Sequence, residues 1–209
     1  MSPRPLKLLA LTVLAALTAG CPKPPPPAPP PEPVAEAAPP PPKCEAFSEK
    51  CAARGDTRAK ITGSTLLFTP VAGWIYAQQS SSTVAQLSES GAALAFLGID
   101  VDPKDAKKEV ATKDAALAEL FKQVGLNPLK RKVPWKKSDD KKAYGTVKVE
   151  LWQLEEAGVR GTKKGPILVV AVPLGDGKGA LGVGFVPDDD KTAADAAILK
   201  SIESLGKSP

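Results

Sequence analysis

Any catalytic chemistry of this sequence would have to use Asp, Glu, Lys, Ser or Tyr, because its 209 residues include no histidine. Mechanisms that need an imidazole base or an imidazole metal ligand near neutral pH are therefore excluded. A pair of carboxyl groups about 5–9 Å apart can hydrolyse a glycosidic bond. None of the candidates lies in a recognisable motif, so we predict no catalytic residue, no metal site and no cofactor. The candidates are Asp100, Asp102, Glu150, Glu155 and Glu156.

The first twenty residues have the pattern of an export signal. Two basic residues precede the ten-residue apolar run Leu8–Leu17, and three small residues follow it. Ten helical residues reach only about 15 Å, half of the hydrocarbon core of a bilayer, so a permanent span is not expected.

The residues that end this signal suggest how the mature chain is held. The sequence LTAGC at positions 17–21 resembles the bacterial lipobox, although Thr18 stands where leucine is commonest. The resemblance implies a signal peptide at 1–20 that is cleaved before Cys21, and a diacylglyceryl group on the Cys21 thiol. The alternative is an ordinary cleaved signal that is followed by a chance cysteine. Two or three acyl chains hold a protein on a membrane essentially permanently.

The remaining two cysteines are expected to pair. The chain has three cysteines, and acylation of Cys21 leaves Cys44 and Cys51 in an oxidising compartment. In a continuous helix their Cα atoms would be about 10 Å apart, too far for a disulfide. We therefore predict a turn within Glu45–Lys50 and a structural disulfide. A redox or metal pair is disfavoured because the CxxC spacing is absent.

A proline-rich segment separates Cys21 from the globular part of the chain. Residues 22–43 contain 13 of the 23 prolines, and proline fixes φ and lacks the backbone donor. We predict a disordered tether of polyproline II character that reaches roughly 70 Å at about 3.1 Å per residue. A docking site for a polyproline-binding domain is the disfavoured alternative.

Lys130–Lys142 is the most unusual stretch of the globular part. It contains seven basic and two acidic residues, a net charge of +5 that equals the formal charge of the whole chain. One interpretation is a patch for anionic lipid headgroups or anionic envelope polymers. The other is a hairpin whose lysines keep an edge strand soluble, and runs of charge usually serve solvation. The patch residues are Lys130, Arg131, Lys132, Trp135, Lys136, Lys137, Lys141 and Lys142.

Hydrophobic periodicity indicates the elements that position these residues. One helix starts between Asp105 and Asp114 and ends before Gly125, and the residues of its apolar face are Leu117, Leu120, Phe121 and Val124. A second helix, with Ala194, Ile198, Ile202 and Leu205 on one face, follows the cap candidates Asp188–Asp190. GDGKG at 175–179 predicts a hairpin turn. Predicted strands cover Thr65–Thr69, Trp74–Gln78, Thr83–Leu87, Ala92–Ile99, Val147–Leu151, Ile167–Val172 and Ala180–Val186. The predicted class is α+β, an antiparallel sheet packed with two main helices.

Two short motifs resemble a known type of domain. FTPVAGW at 68–74 is similar to the opening of bacterial PsbP-like and DcrB-like domains, and AILKSI at 197–202 resembles their terminal helix. The resemblance implies a PsbP-like sandwich over residues 62–209, preceded by a disulfide-bearing lead segment at 44–61. Members of this type serve as extrinsic subunits or adaptors and share no catalytic set, so no functional residue is implied.

These features predict a lipoprotein anchored to a bacterial membrane, on the periplasmic face of the inner or outer membrane or at the cell surface. We expect a non-enzymatic binding or adaptor module. Its partners would be the membrane, through the N-terminal lipid, and another envelope protein or an anionic envelope polymer. Export separates it from nucleic acid, which is therefore not an expected partner. The alternative is a carboxylate-based hydrolase that acts on envelope glycan or lipid.

Overall fold

The structure, a computed structural model, describes residues 44–89 and 91–207. The predicted signal peptide, the lipidation site Cys21 and the proline-rich tether lie outside the described residues. Predictions that concern them therefore remain predictions.

A large antiparallel sheet forms the centre of the described part of the chain. Each of its seven strands is antiparallel to its neighbours. In spatial order they are β3 (Ile75–Gln78), β4 (Thr83–Gln86), β5 (Ala93–Asp100), β9 (Lys178–Phe185), β8 (Lys163–Gly175), β7 (Val147–Arg160) and β6 (Asp140–Tyr144). A second, three-stranded sheet within residues 44–89 and 91–207 has the order β1 (Ala59–Lys60), β2 (Leu66–Phe68) and β10 (Gly206–Lys207).

Each face of the central sheet is covered by one helix. The α1 face is covered by α1 (Ala106–Val124) and by the irregular segment that follows it. The α2 face is covered by α2 (Lys191–Glu203) and by the small sheet. Successive side chains of a strand point to opposite faces, so β5 places Ala93 and Ala95 on the α1 face and Leu94 and Phe96 on the α2 face. The predicted α+β class, with an antiparallel sheet and two main helices, is confirmed.

Helix α1 ends where the sequence predicts, and it begins at the early limit of the predicted range. The Asp105 carboxylate accepts hydrogen bonds from the backbone N–H groups of Lys107 and Lys108, both at 3.1 Å. At the other end Gly125 adopts a left-handed conformation with φ 71°. The predicted stripe is buried against the sheet: Leu117, Leu120, Phe121 and Val124.

Helix α2 has the predicted apolar face but lacks the predicted cap. Ala194, Ile198, Ile202 and Leu205 are buried on the α2 face. Asp190 occupies the N-cap position, but its side chain makes no capping hydrogen bond. A short 3₁₀ helix, Asp188–Asp190, precedes α2. In this 3₁₀ helix the Asp189 carboxylate forms an ion pair with Lys163. The prediction that this acidic run caps the helix is therefore wrong.

The glycines of β9 allow close packing on the α2 face. Gly182 lies beside Phe96, and a Cβ added there would be 2.3 Å from the Phe96 ring. Gly184 lies against Ile198 of α2 at 3.1 Å by the same measure. The GDGKG segment forms the predicted hairpin between β8 and β9, with Gly177 at φ 76°.

The lead segment covers one edge of the central sheet. Cys44 and Cys51 form the predicted disulfide, with Cα atoms 5.6 Å apart, and the chain between them turns before the 3₁₀ helix Glu49–Cys51. The backbone N–H of Gln78 donates to the Cys44 carbonyl at 2.6 Å, and Ala52 forms an antiparallel bridge with Ile75. The outer strand β3 is therefore paired along its free side.

Candidate binding site on the α1 face

The segment after α1 forms a cover over the central sheet. This cover loop, residues 126–138, places Leu126, Val133 and Trp135 in the core of the α1 face. Leu126 also forms an isolated antiparallel bridge with Arg160 at the end of β7. The loop is packed onto the domain despite its net positive charge.

Two tryptophans hold the middle of the cover loop. The ring centroids of Trp135 and Trp152 lie 5.3 Å apart in an edge-to-face arrangement. The Trp135 indole N–H donates to Asp114 Oδ1 at 2.7 Å, and the Trp152 indole N–H donates to the carbonyls of Pro134 and Lys137 at 3.2 and 3.0 Å. Trp135 is only 9% exposed. Its predicted place in a surface patch is therefore corrected: it anchors the loop and does not face a ligand.

A β-bulge in β7 holds the start of the basic run. Leu154 pairs with Ile167 and Gly158 pairs with Gly165, so three residues of β7 lie opposite the single residue Pro166. Proline has no N–H to offer the ladder, and β7 bulges at this point. The bulge presents Glu155 and Glu156 toward the cover loop.

The two carboxylates of the bulge contact the cover loop in different ways. Glu156 accepts from the backbone N–H of Lys130 at 3.0 Å and from that of Arg131 at 3.2 Å. Glu155 lies 3.2 Å from the Arg131 guanidinium, and both of these side chains are largely exposed. Exposed ion pairs of this kind contribute about 0–1 kcal/mol. Of these two candidate catalytic carboxylates, Glu156 therefore holds the loop backbone, whereas Glu155 forms only an exposed ion pair.

The cations predicted as one patch do not share one face. Lys130, Arg131, Lys132, Lys136 and Lys137 are exposed along the cover loop. Lys141 and Lys142 are neighbours on strand β6 and so point to opposite faces of the sheet. Lys141 is ion-paired with Glu150 at 2.8 Å, and Lys142 with Asp140 at 3.4 Å.

Lys136 and Lys137, like Lys130, are cations of the run that have no ion pair within the described residues. Lys132 has a long contact of 3.9 Å with Asp114 Oδ2 while its side chain stays 88% exposed. The loop therefore displays positive charge that the domain does not neutralise.

An apolar cavity of about 480 Å³ lies between α1 and the cover loop. Its size falls within the range of about 300–1,000 Å³ that is typical of small-molecule sites. Hydrophobic side chains make up most of the lining, and charged side chains stand beside them. The lining residues are Asp114, Leu117, Ala118, Phe121, Lys122, Leu126, Pro128, Leu129, Arg131, Lys132 and Val133.

Sequence reasoning missed the helix side of this cavity. Asp114, Ala118 and Lys122 follow one another at intervals of four residues, so they form a stripe along α1 beside the buried Leu117 and Phe121. That spacing is visible in the sequence. From that spacing one could have predicted that this stripe and the basic run after the helix line the same site.

Sequence reasoning also missed Arg160, which is the only buried arginine among the described residues. Its guanidinium donates to the carbonyls of Val124, Ser88 and Gly91 at 2.5, 2.9 and 2.6 Å, and to the side-chain oxygen of Gln86. Burial lowers the pKa of Arg160, and the nearby Glu89 opposes that shift. The side chain ties the end of α1 to the loop between β4 and β5.

The described residues include no group of three or more His, Cys, Asp or Glu side chains arranged to hold a metal ion. Within the same residues, no helix has the length and apolar character needed to cross a membrane. Trp74 is buried in the core of the α2 face, with Tyr76 packed against that core, so both have packing roles.

No family model matches the sequence, and no curated protein is significantly similar to it. A protein from Bacteroides thetaiotaomicron VPI-5482, with a crystal structure at 1.50 Å resolution, is similar over 76% of this chain, at 9% identity and a TM-score of 0.44. This chain spans 49% of the length of that protein. A likeness at this level supports no argument about what the chain does.

Proposed function

We propose that this protein is an exported lipoprotein, held on a membrane by lipid on Cys21, whose folded part is a non-enzymatic binding or adaptor module of the cell envelope. The module binds anionic groups of another envelope component through the cations of the cover loop. Its sheet, with a helix on each face, is compatible with a PsbP-like sandwich over residues 62–209, which we include in the proposal.

The arrangement of the cover loop is the observation that supports this role. Two tryptophans and the Glu156 carboxylate fix the loop backbone, so its lysine side chains are free to point into solvent. A cation near an anionic membrane surface contributes about 1 kcal/mol to binding. Several exposed cations on a fixed loop can therefore give useful affinity without the cost of ordering the loop backbone.

Retention on anionic surfaces tests the binding role. The variant with the four exposed lysines of the cover loop, Lys130, Lys132, Lys136 and Lys137, all changed to Gln should lose retention on vesicles of anionic phospholipid and on isolated envelope glycan at low salt. The matched control changes four exposed lysines elsewhere, Lys50, Lys104, Lys107 and Lys200, to Gln. Because both variants lose four charges, an equal loss in both would indicate a nonspecific charge effect. Unchanged retention in the first variant would remove the patch as a site.

The anchor is tested separately. Wild-type protein expressed with its signal should carry an acylated N-terminal cysteine by mass spectrometry and remain with the membrane after a high-salt wash. Cys21→Ser should release the protein into the soluble fraction. A bare terminus on the wild-type protein would contradict the anchoring proposal.

A hydrolase is the second candidate, because Glu109 and Glu150 line one cavity of about 340 Å³ beside the β8–β9 hairpin. Both carboxylates have lysine partners, Lys113 at 2.5 Å and Lys141 at 2.8 Å. Release of reducing sugar from envelope glycan, lost in both Glu109→Gln and Glu150→Gln, would support this candidate over the first.

A further inference from the structure

The cavity on the α1 face has an apolar floor that matches a hydrocarbon chain. Leu117, Phe121, Leu126 and Val133 are each at most 6% exposed, and all four line the cavity. Leu129 is partly buried and packs against the same core. A volume of about 480 Å³ lies toward the lower part of the range for ligand sites, which suits one chain better than two.

The rim of this cavity carries uneven charge. Lys122, Arg131 and Lys132 line it as cations, and Asp114 lines it as the one carboxylate. The Arg131–Glu155 and Lys132–Asp114 contacts involve largely exposed cations, so either cation can turn to a ligand at little cost. The net charge of +2 favours an anionic head group, while Asp114 disfavours a second negative charge on it.

Asp114 is fixed in place by the fold. Its Oδ1 accepts the Trp135 indole N–H at 2.7 Å, and its Oδ2 faces Lys132. The carboxylate therefore stays at the rim, where it limits the charge that the site accepts. This favours a head group with a single negative charge.

We propose that this cavity binds a long-chain fatty acid, with the acyl chain on the apolar floor and the carboxylate between Lys122, Arg131 and Lys132. The proposal deepens the proposed binding function, since it names the ligand class of the cover loop. Arg131 can hold a carboxylate in a two-pronged hydrogen-bonded geometry. Each methylene that is buried increases affinity roughly fourfold.

Substitutions at two alanines of α1 test the cavity itself. Ala118 lines the cavity, whereas Ala115, three residues earlier on the same helix, does not line it and is also exposed. Ala118→Trp should fill the cavity and reduce palmitate affinity at least tenfold, while Ala115→Trp should bind as the wild type does. Binding is measured by calorimetric titration of palmitate into the full mature chain carrying Cys21→Ser, so that no attached lipid competes.

Charge substitutions test the position of the head group. Lys122→Gln combined with Lys132→Gln should weaken palmitate binding about tenfold and leave binding of the neutral 1-hexadecanol unchanged. This variant alters exposed side chains only, so it also serves if Ala118→Trp does not fold. Equal weakening of both ligands, or a lack of palmitate binding by the wild type, would overturn the proposal.

The retention experiments and the palmitate titrations distinguish failure of the fatty-acid proposal from failure of the proposed binding function. Loss of vesicle retention in the lysine variant without palmitate binding would keep the binding module and discard the fatty acid. Palmitate binding that depends on Ala118, without retention on any anionic surface, would keep the cavity and discard surface recognition. Saturable 1:1 binding is the expected result, and partition at high ratios without saturation would count against a built site.

Discussion

The two faces of the central sheet are covered in different ways. On the α2 face, a helix and a small sheet pack onto the strands, and the Phe68 and Phe96 ring centroids lie 5.0 Å apart. On the α1 face, part of the cover is an irregular loop, and a cavity of about 480 Å³ lies between this loop and α1. Regular elements repeat their side chains at fixed intervals and so interdigitate closely. A loop must also satisfy its own backbone, which leaves less side chain for filling space.

The two covering helices also differ, in how their ends are capped and in how much of their length is buried. Helix α1 is capped by Asp105 and ends at a left-handed Gly125, while its buried residues lie only in its second half. Helix α2 has no side-chain cap, yet its whole apolar stripe is buried. Tertiary packing therefore substitutes for capping on the α2 face, in line with the small contribution of helix ends relative to buried area.

The largest expected effect is on the α2 face. Phe96→Ala should lower the free energy of unfolding by about 3–5 kcal/mol, because it removes a fully buried ring that also covers Gly182. Leu129→Ala, at the cavity, should cost under about 1 kcal/mol, because no tightly packed group is lost. Urea unfolding followed by circular dichroism measures both. Equal losses would contradict the contrast between the faces.

Arg160 stabilises the more open face through its hydrogen bonds. Arg160→Met should lower the free energy of unfolding by about 3 kcal/mol, because three backbone carbonyls lose their donor. Arg54→Met, at an exposed position, is the control and should change it by less than about 0.5 kcal/mol. Hydrogen exchange should show the loss at the end of α1. Protection unchanged there would refute this role.

Trp135 gives a smaller effect that is confined to the loop. Trp135→Phe keeps an aromatic ring in the core but removes the hydrogen bond to Asp114, for an expected cost of about 1 kcal/mol. The cover loop should become more accessible to limited proteolysis, while β5 and α2 stay protected. Increased cleavage throughout the domain would instead indicate that the loop and the α2 face unfold together.

The smallest effect concerns the start of α2. The hydrogen bond from Lys163 lowers the pKa of Asp189 below its ordinary value of 3.8. The ion pair therefore stabilises the folded state at pH values above 3.8. This stabilisation is lost as the pH falls through the lowered pKa of Asp189. Lys163→Gln should raise the Asp189 pKa, which a carboxyl titration by NMR measures. An unchanged pKa would show that the ion pair does not form in solution.

Periodic elements of this fold could be predicted from sequence because their pattern extends over several turns or residues. The stripes of α1 and α2, the β8–β9 hairpin and the disulfide turn have such signals. Strands β1, β6 and β10 do not: β1 and β10 have two residues each, and β6 (DKKAY) is almost wholly exposed. Strand β7 extends beyond its predicted end at Leu151 to Arg160, through a polar stretch that contains the bulge.

The candidate site was predictable only in part. The basic run could be read from composition, but the burial of Trp135 depends on Trp152 and Asp114, which lie 17 and 21 residues away. The separation of Lys141 from Lys142 depends on their lying in a strand, which their sequence does not favour. Contacts between distant residues set the geometry of the site, and local pattern carries no information about them.

The covalent ring at Cys44 also determines how the domain would respond to a pull on its N-terminal side. Tension that arrives along the preceding chain enters the fold at Cys44, whose carbonyl is bound to Gln78 of β3. The disulfide passes part of that load directly to Cys51, so residues 45–50 are bypassed. The covalent ring therefore lies between two attachments to β3, one at Gln78 through Cys44 and one at Ile75 through Ala52, so a pull on Cys44 reaches both without stretching residues 45–50.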